Sequence, residues 1–184
     1  MNLSTKDKLF FITIKELAKN GKNGIKLSEI AKKANIKPPS VYAFFKSKND
    51  LIEYTINRCD ESIKKNNPLC DINNDIHELL LNIFMHYINE FSKEPLLSYY
   101  IFLAKESLSD NEAYQRYNAL LYSVEVQISF LISEKTADNS DIANAITSVI
   151  IKSFPSVMLT LINEGEKAAL YEVNNIISFS SLLQ

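Results

Sequence analysis

IAKKANIKPPSVYAFFKSKNDL, residues Ile30–Leu51, divides into two short helices around a turn. Ile30 and Ala31 face inward from the first helix, about Leu27–Ala34. Asn35-Ile36-Lys37 is too short for anything but the turn. Pro38 and Pro39 suit the opening of the second helix, about Pro38–Phe45, because an N–H there has no intrahelical partner to lose. Ser47 can then cap a longer helix from Lys48 to about Lys65, with Leu51, Ile52, Ile56, Cys59 and Ile63 inward. Upstream, about Thr5–Asn20 places Leu9, Phe10, Ile14, Leu17 and Ala18 on one face at spacings of three and four. Gly21 and the pair Asn23-Gly24 stop that helix, since Gly and Asn tolerate a positive φ. Two short helices joined by a three-residue turn and braced by a longer helix form a helix-turn-helix. Its second helix lies in the DNA major groove and its first crosses the phosphate backbone.

Charge agrees with that reading. Residues 1–50 carry 11 Lys against 4 acids, a net +7, while the remaining 134 residues carry −9. A basic head on an acidic body points to a polyanion as partner of the head. Abundant Ile, Lys and Asn also fit the codon bias of an AT-rich genome, which accounts for part of the Lys excess.

The 184 residues, 46% apolar and 23% charged, have the balance of a folded globular protein rather than a disordered chain. With only 3 Gly and 5 Pro, a turn-rich β sandwich or barrel is disfavoured. The longest stretch without charge is the 12 residues Val173–Gln184, against about 20 for a bilayer span, so no transmembrane helix is expected. MNLSTKDKLF lacks the apolar core of a signal peptide, and a cytoplasmic location is expected. Cys59 and Cys70 are too few for a disulfide scaffold and too isolated for a metal site.

Helical periodicity continues to the end of the chain. After the polar break Lys64–Pro68, helices are expected at about Ile72–Phe91, Pro95–Ser107, Asn111–Thr136, Asp141–Glu164 and Lys167–Leu183. Nothing asks for a strand. The expected fold is all-α with about nine helices: a DNA-binding domain at 1–50, a connecting helix at about 48–65, and a helical body at 66–184.

The stretch Ile30–Leu51 resembles the DNA-binding signature of the tetracycline-repressor (TetR) family. Ile30, Ala31, Ala34, Val41, Tyr42, Phe45, Lys48 and Leu51 match it in type and spacing, and Gly21 falls where the family ends its first helix. The resemblance covers about residues 5–55. Asn35 replaces the family's turn Gly, Lys37 its Ser, Pro39 its Gly, Ser40 its Thr, and Lys26 the Thr that opens the second helix. The resemblance implies that Tyr42 and Lys48 bind backbone phosphate, for which a phenol and an ammonium are suited. Lys26 and Lys37 stand at helix N-termini, where phosphate or base-edge contacts are expected, and Ser28 adds a hydroxyl nearby. Ser40 and Pro39 face the bases, Ser40 by hydrogen bonding and Pro39 by apolar contact with a thymine methyl. Phe44 and Phe45 read as core, and Lys32 and Lys33 as solvated.

The body shows no catalytic set. His77 and His86 do not share a helix face, and neither Cys has a His near it in sequence. The resemblance implies a small-molecule pocket in the body, for which Phe84, Tyr87, Tyr100, Tyr117 and Tyr122 are the candidate linings. The last two helices are apolar on most sides and need burial on two fronts. Family members pair these helices across a twofold axis, which makes Ile146, Val149, Ile150, Phe179 and Leu183 dimerisation candidates. Pro155 is expected to kink the first of the two helices. The sequence thus points to a homodimeric, ligand-responsive repressor that uses no cofactor, is not an enzyme, and binds a palindromic operator until an apolar or cationic effector releases it. The alternative is an all-α interaction module whose helix-turn-helix no longer binds DNA.

Overall fold

The computed structural model describes residues 3–65, 75–135 and 140–180, with residues 179 and 180 as backbone only. The described residues form α1 (Thr5–Gly24), α2 (Leu27–Lys33), α3 (Pro38–Val41), α4 (Lys48–Lys64), α5 (Ile76–Phe91), α6 (Leu96–Glu106), α7 (Asn111–Lys135), α8 (Ser140–Glu164) and α9 (Glu166–Ser180), with no strand among them.

Local chemistry sets the ends of these helices. Ser4 caps α1 by accepting from the Asp7 N–H at 3.1 Å. Inside α1, Gly21 adopts φ 67°, so regular helix stops where the sequence predicts and one irregular turn continues to Gly24. Helix α3 is shorter than expected. After Val41 the N–H groups of Tyr42, Ala43 and Phe44 bond three residues back, to Pro39, Ser40 and Val41, which tightens the chain out of α-helix. Helix α5 begins at Ile76, with Asp75 in the capping position accepting from the Glu78 N–H at 2.9 Å, and the expected start at about Ile72 lies outside the described residues. Residues 181–184, where the last helix was expected to continue, lie outside the described residues.

The chain divides into two compact units. The first joins residues 1–65 to 94–118 and is built on α1, whose Leu9, Phe10, Ile14 and Leu17 are buried. Helices α2, α4 and α6 pack against α1. Arg58 of α4 lies over the Phe10 ring at 4.2 Å and donates to Asp7 at 2.7 Å, and the Ser4 hydroxyl bond, followed by that of Arg58, holds the Asp7 carboxyl below the ordinary carboxylate range. Lys105 of α6 donates to the Ala18 carbonyl at 3.1 Å. Cys59 is buried here, and loss of solvation pushes its thiol up to about 12.

The second unit joins residues 66–93 to 119–184. Helices α8 and α9 pack on each other and on α5, and the Phe154 ring meets Tyr87 and Phe91 edge-on at 5.6 and 6.1 Å. Helix α8 continues through Pro155, with Phe154, Val157 and Met158 buried around it. By length and composition alone α8 is long and apolar enough to cross a membrane. This revises the reading from uncharged stretches, which Lys152 divides. A buried face carrying Ile146, Ile150, Phe154, Val157 and Leu161 gives α8 a core role within this unit.

Candidate nucleic-acid interface

Helices α2 and α3 meet through a turn held by backbone hydrogen bonds back to α2. Asn35 adopts φ 57°, the left-handed conformation that Asn tolerates better than other residues with a Cβ. Its N–H bonds to the Lys32 carbonyl at 3.1 Å, and the Ile36 N–H reaches the Ala31 carbonyl at 3.0 Å. These paired bonds form a Schellman motif, so Asn35 serves where the family signature has Gly. Ile30, Ala31, Val41 and Phe45 are buried beneath the turn.

The opposite face is open. Lys26, Ser28, Lys37, Pro39 and Ser40 are all exposed, and Tyr42 keeps 58% of its surface accessible. Neither Lys26 nor Lys37, the N-caps of α2 and α3, makes a side-chain capping bond. Lys26 pairs with Glu29 at 3.3 Å, an exposed contact of the kind worth at most about 1 kcal/mol and readily exchanged for phosphate. Lys48 is half-buried and donates to the Ile25 carbonyl at 3.3 Å, which pins the start of α4 to the loop before α2. Ser47 caps α4 by accepting from the Asp50 N–H at 3.1 Å, and Asp50 in turn accepts from the Lys46 N–H at 2.7 Å.

Two expectations about this head change. Phe45 is core and packs on Tyr54 at 5.1 Å, but Phe44 is exposed because α3 ends before its side chain can turn inward. Lys33 is not simply solvated: it contacts Glu16 of α1 at 2.5 Å, and Glu16 is only 5% exposed. A buried carboxylate needs partners, and Asn20 supplies another at 3.1 Å. Sequence reasoning also passed over Lys6, whose ammonium sits 4.4 Å from the Tyr54 ring centre and 5.6 Å from that of Phe45. No local spacing connects residues 6, 45 and 54.

The candidate linings fall into both units. In the first, Tyr100 and Tyr117 share a hydrogen bond at 3.1 Å, and burial together with that bond raises the Tyr100 pKa well above the ordinary phenol value. In the second, Phe84 is buried, and Tyr87 is buried with its hydroxyl donating to Gln127 at 2.6 Å. Tyr122 is 66% exposed. His86 Nε2, beside Tyr87, is buried with no hydrogen-bond partner among the described residues. A polar cleft of about 310 Å³ opens between α7 and α8, with Glu125, Ser129, Thr147 and Lys152 on its walls, none of which was singled out from sequence. Of the dimerisation candidates, Ile146 and Ile150 are buried inside their own unit and Val149 is half-buried. The Phe179 side chain and Leu183 lie outside the described residues.

Residues 13–55 match the sequence profile of bacterial regulatory proteins of the tetR family. The chain thus resembles the tetR family in its first third. The match spans the second half of α1, all of α2, the turn and α3, and the start of α4. Solved structures share the tetR-family fold over nearly the whole chain. A tetR-family transcriptional regulator from Streptomyces coelicolor is 15% identical, with 100% of this chain and 82% of that one covered at a TM-score of 0.68. A TerR/AcrR-family regulator from Aquifex aeolicus VF5 is 17% identical, with 98% and 100% covered at 0.69. The flavonoid-responsive regulator FrrA is 18% identical, with 97% and 96% covered at 0.62. No curated protein matches the sequence.

Proposed function

We propose that this protein is a cytoplasmic repressor of the tetR family that binds a palindromic operator as a homodimer and leaves it when a small effector occupies the body. The observation that carries the reading is the exposed face of Lys26, Ser28, Lys37, Pro39, Ser40 and Tyr42 over a turn closed by Asn35. Phosphate contacts fall to Lys26, Lys37, Tyr42 and Lys48, and base contacts to Pro39 and Ser40. Lys48 is already held against the Ile25 carbonyl, so little side-chain freedom is left to lose on binding.

For the effector, Phe84, Tyr87 and Tyr122 of the second unit favour an apolar or cationic molecule, since aromatic faces attract cations. His86 supplies a polar atom beside Tyr87. A flavonoid-responsive regulator among the structural neighbours is in keeping with an aromatic ligand. For assembly, Val149 and the exposed Leu159 of α8 and Tyr171 of α9 are the apolar surface offered to a second copy.

The deciding experiment is a salt titration of binding to a duplex selected by the wild-type protein from a random pool. Lys48→Ala should weaken binding to all sequences alike and lower the slope of log affinity against log salt by about one. Tyr42→Phe should weaken binding with little change in slope. Affinity that does not depend on salt, or that stays at the wild-type value in both variants, overturns the docking scheme and favours an interaction module.

A further inference from the structure

Away from the DNA-facing surface, Arg116 on the second turn of α7 is the centre of a charged network. One of its terminal nitrogens donates to Asp60 at 2.5 Å and to Asn57 at 3.3 Å, and the other to Glu53 at 3.3 Å. Its Nε donates to Glu112 at 3.1 Å, one turn earlier on α7. Glu53, Asn57 and Asp60 lie on one stripe of α4, so a single guanidinium spans about two turns of the helix that leaves the helix-turn-helix. The network extends further at both ends. Asp60 also accepts a hydrogen bond from Tyr99 of α6. Glu112 also accepts from Lys22, in the irregular last turn of α1, at 2.8 Å.

We infer that Arg116 is a positioning residue for operator recognition: it holds α4 against α6 and α7 and so sets where the helix-turn-helix is carried. This rests on the DNA-binding reading above. Arg116 is fitted to the task because its planar fork serves acceptors in two directions at fixed angles, which a lysine cannot do. Charge balance adds a second reason. Three carboxylates, Glu53, Asp60 and Glu112, surround this one guanidinium. Without it, the two on α4 would repel the one on α7, and α4 would move off its seat while its apolar face still held it in the unit.

The test uses the full chain with two DNA probes: the selected palindromic duplex, and an unselected random duplex of equal length. Nonspecific binding needs basic charge on the head, whereas the palindrome also needs two heads held in register. Arg116→Gln should lower affinity for the selected duplex about three- to thirtyfold, the range by which residues outside a site modulate coupling. Affinity for the random duplex should stay within about twofold, since no DNA-facing charge is lost. Adding Glu53→Gln and Asp60→Asn to Arg116→Gln removes the uncompensated charges and should restore part of the loss, while Arg116→Lys should fall between wild type and Arg116→Gln. Glu53→Gln alone, at a half-buried residue on the surface of α4, guards against misfolding and should give a smaller loss in the same direction. Equal losses on both duplexes, tracking a fall in folded fraction by circular dichroism, would mean that Arg116 only stabilises the fold and would overturn the proposal. So would wild-type selectivity in both Arg116→Gln and Glu53→Gln. A wild type that binds neither duplex overturns the DNA-binding reading and this role with it, and the wild-type control alone identifies that case.

Discussion

At the scale of single residues, Gly21 shows how one missing Cβ can be required twice. Its φ of 67° lies in the left-handed region, which costs a residue with a Cβ roughly 1–2 kcal/mol. A Cβ placed there would also stand 2.5 Å from Glu106 Oε2 of α6. Gly21→Ala should therefore destabilise the protein by about 2 kcal/mol, the strain plus the displacement of a flexible side chain. Urea unfolding checks this, and Glu106→Ala in the same background should recover the steric part but not the backbone part. A Gly21→Ala protein as stable as wild type would show that α1 can end without this geometry. Lys33 makes the complementary point: its role depends on Glu16, 17 residues away, which no local pattern pairs with it.

At the scale of elements, the turn between α2 and α3 depends on Asn35. Its side chain permits the left-handed conformation, but glycine adopts it without penalty. Asn35→Gly should leave stability equal to wild type or higher by up to about 0.5 kcal/mol, whereas Asn35→Ala should cost about 1 kcal/mol. For a chain of this size about 1 kcal/mol corresponds to roughly 2–4 °C in melting temperature, so thermal unfolding resolves the two. If Asn35→Ala melts no lower than Asn35→Gly, the turn is not limited by φ. The same element explains why the recognition helix is short. Its opening prolines cost it no hydrogen bond, but the N–H groups of Tyr42, Ala43 and Phe44 close onto carbonyls three residues back.

At the scale of the whole molecule, the sequence separates a basic head from an acidic body, and the folded chain meets part of the head's charge with acids from beyond it. Lys22 faces Glu112 and Asp110, and Lys15 faces Glu94. The bond from Lys22, with a smaller contribution from Arg116, holds the Glu112 carboxyl below its ordinary value of 4.5. A carboxyl lowered in the folded state contributes stability that is fully present above its unfolded value and is lost as pH falls through the folded one. Asp7, lowered from 3.8 by Ser4 and Arg58, acts in the same direction. Melting temperature should therefore change little through these groups from neutral pH down to about 5 and fall below about 4.5. Glu112→Gln should flatten that acid limb, and an unchanged limb in this variant would show that the contact carries no linkage.

The sequence by itself determined the all-helical fold and the helix-turn-helix, because these rest on spacings of three and four, on caps and on turn residues acting over fewer than ten positions. Asn35 and Ser47 are legible in this way: each acts on neighbours along the chain. Tertiary structure alone decided which side chains meet across helices. Arg116 reaches Asp60 from 56 positions away, α6 lies along α1, and Ile146 and Ile150 turn into their own unit. The physical reason is that helical periodicity specifies which face of a helix is apolar, but not which helix will cover it or which charges will then stand within hydrogen-bonding distance.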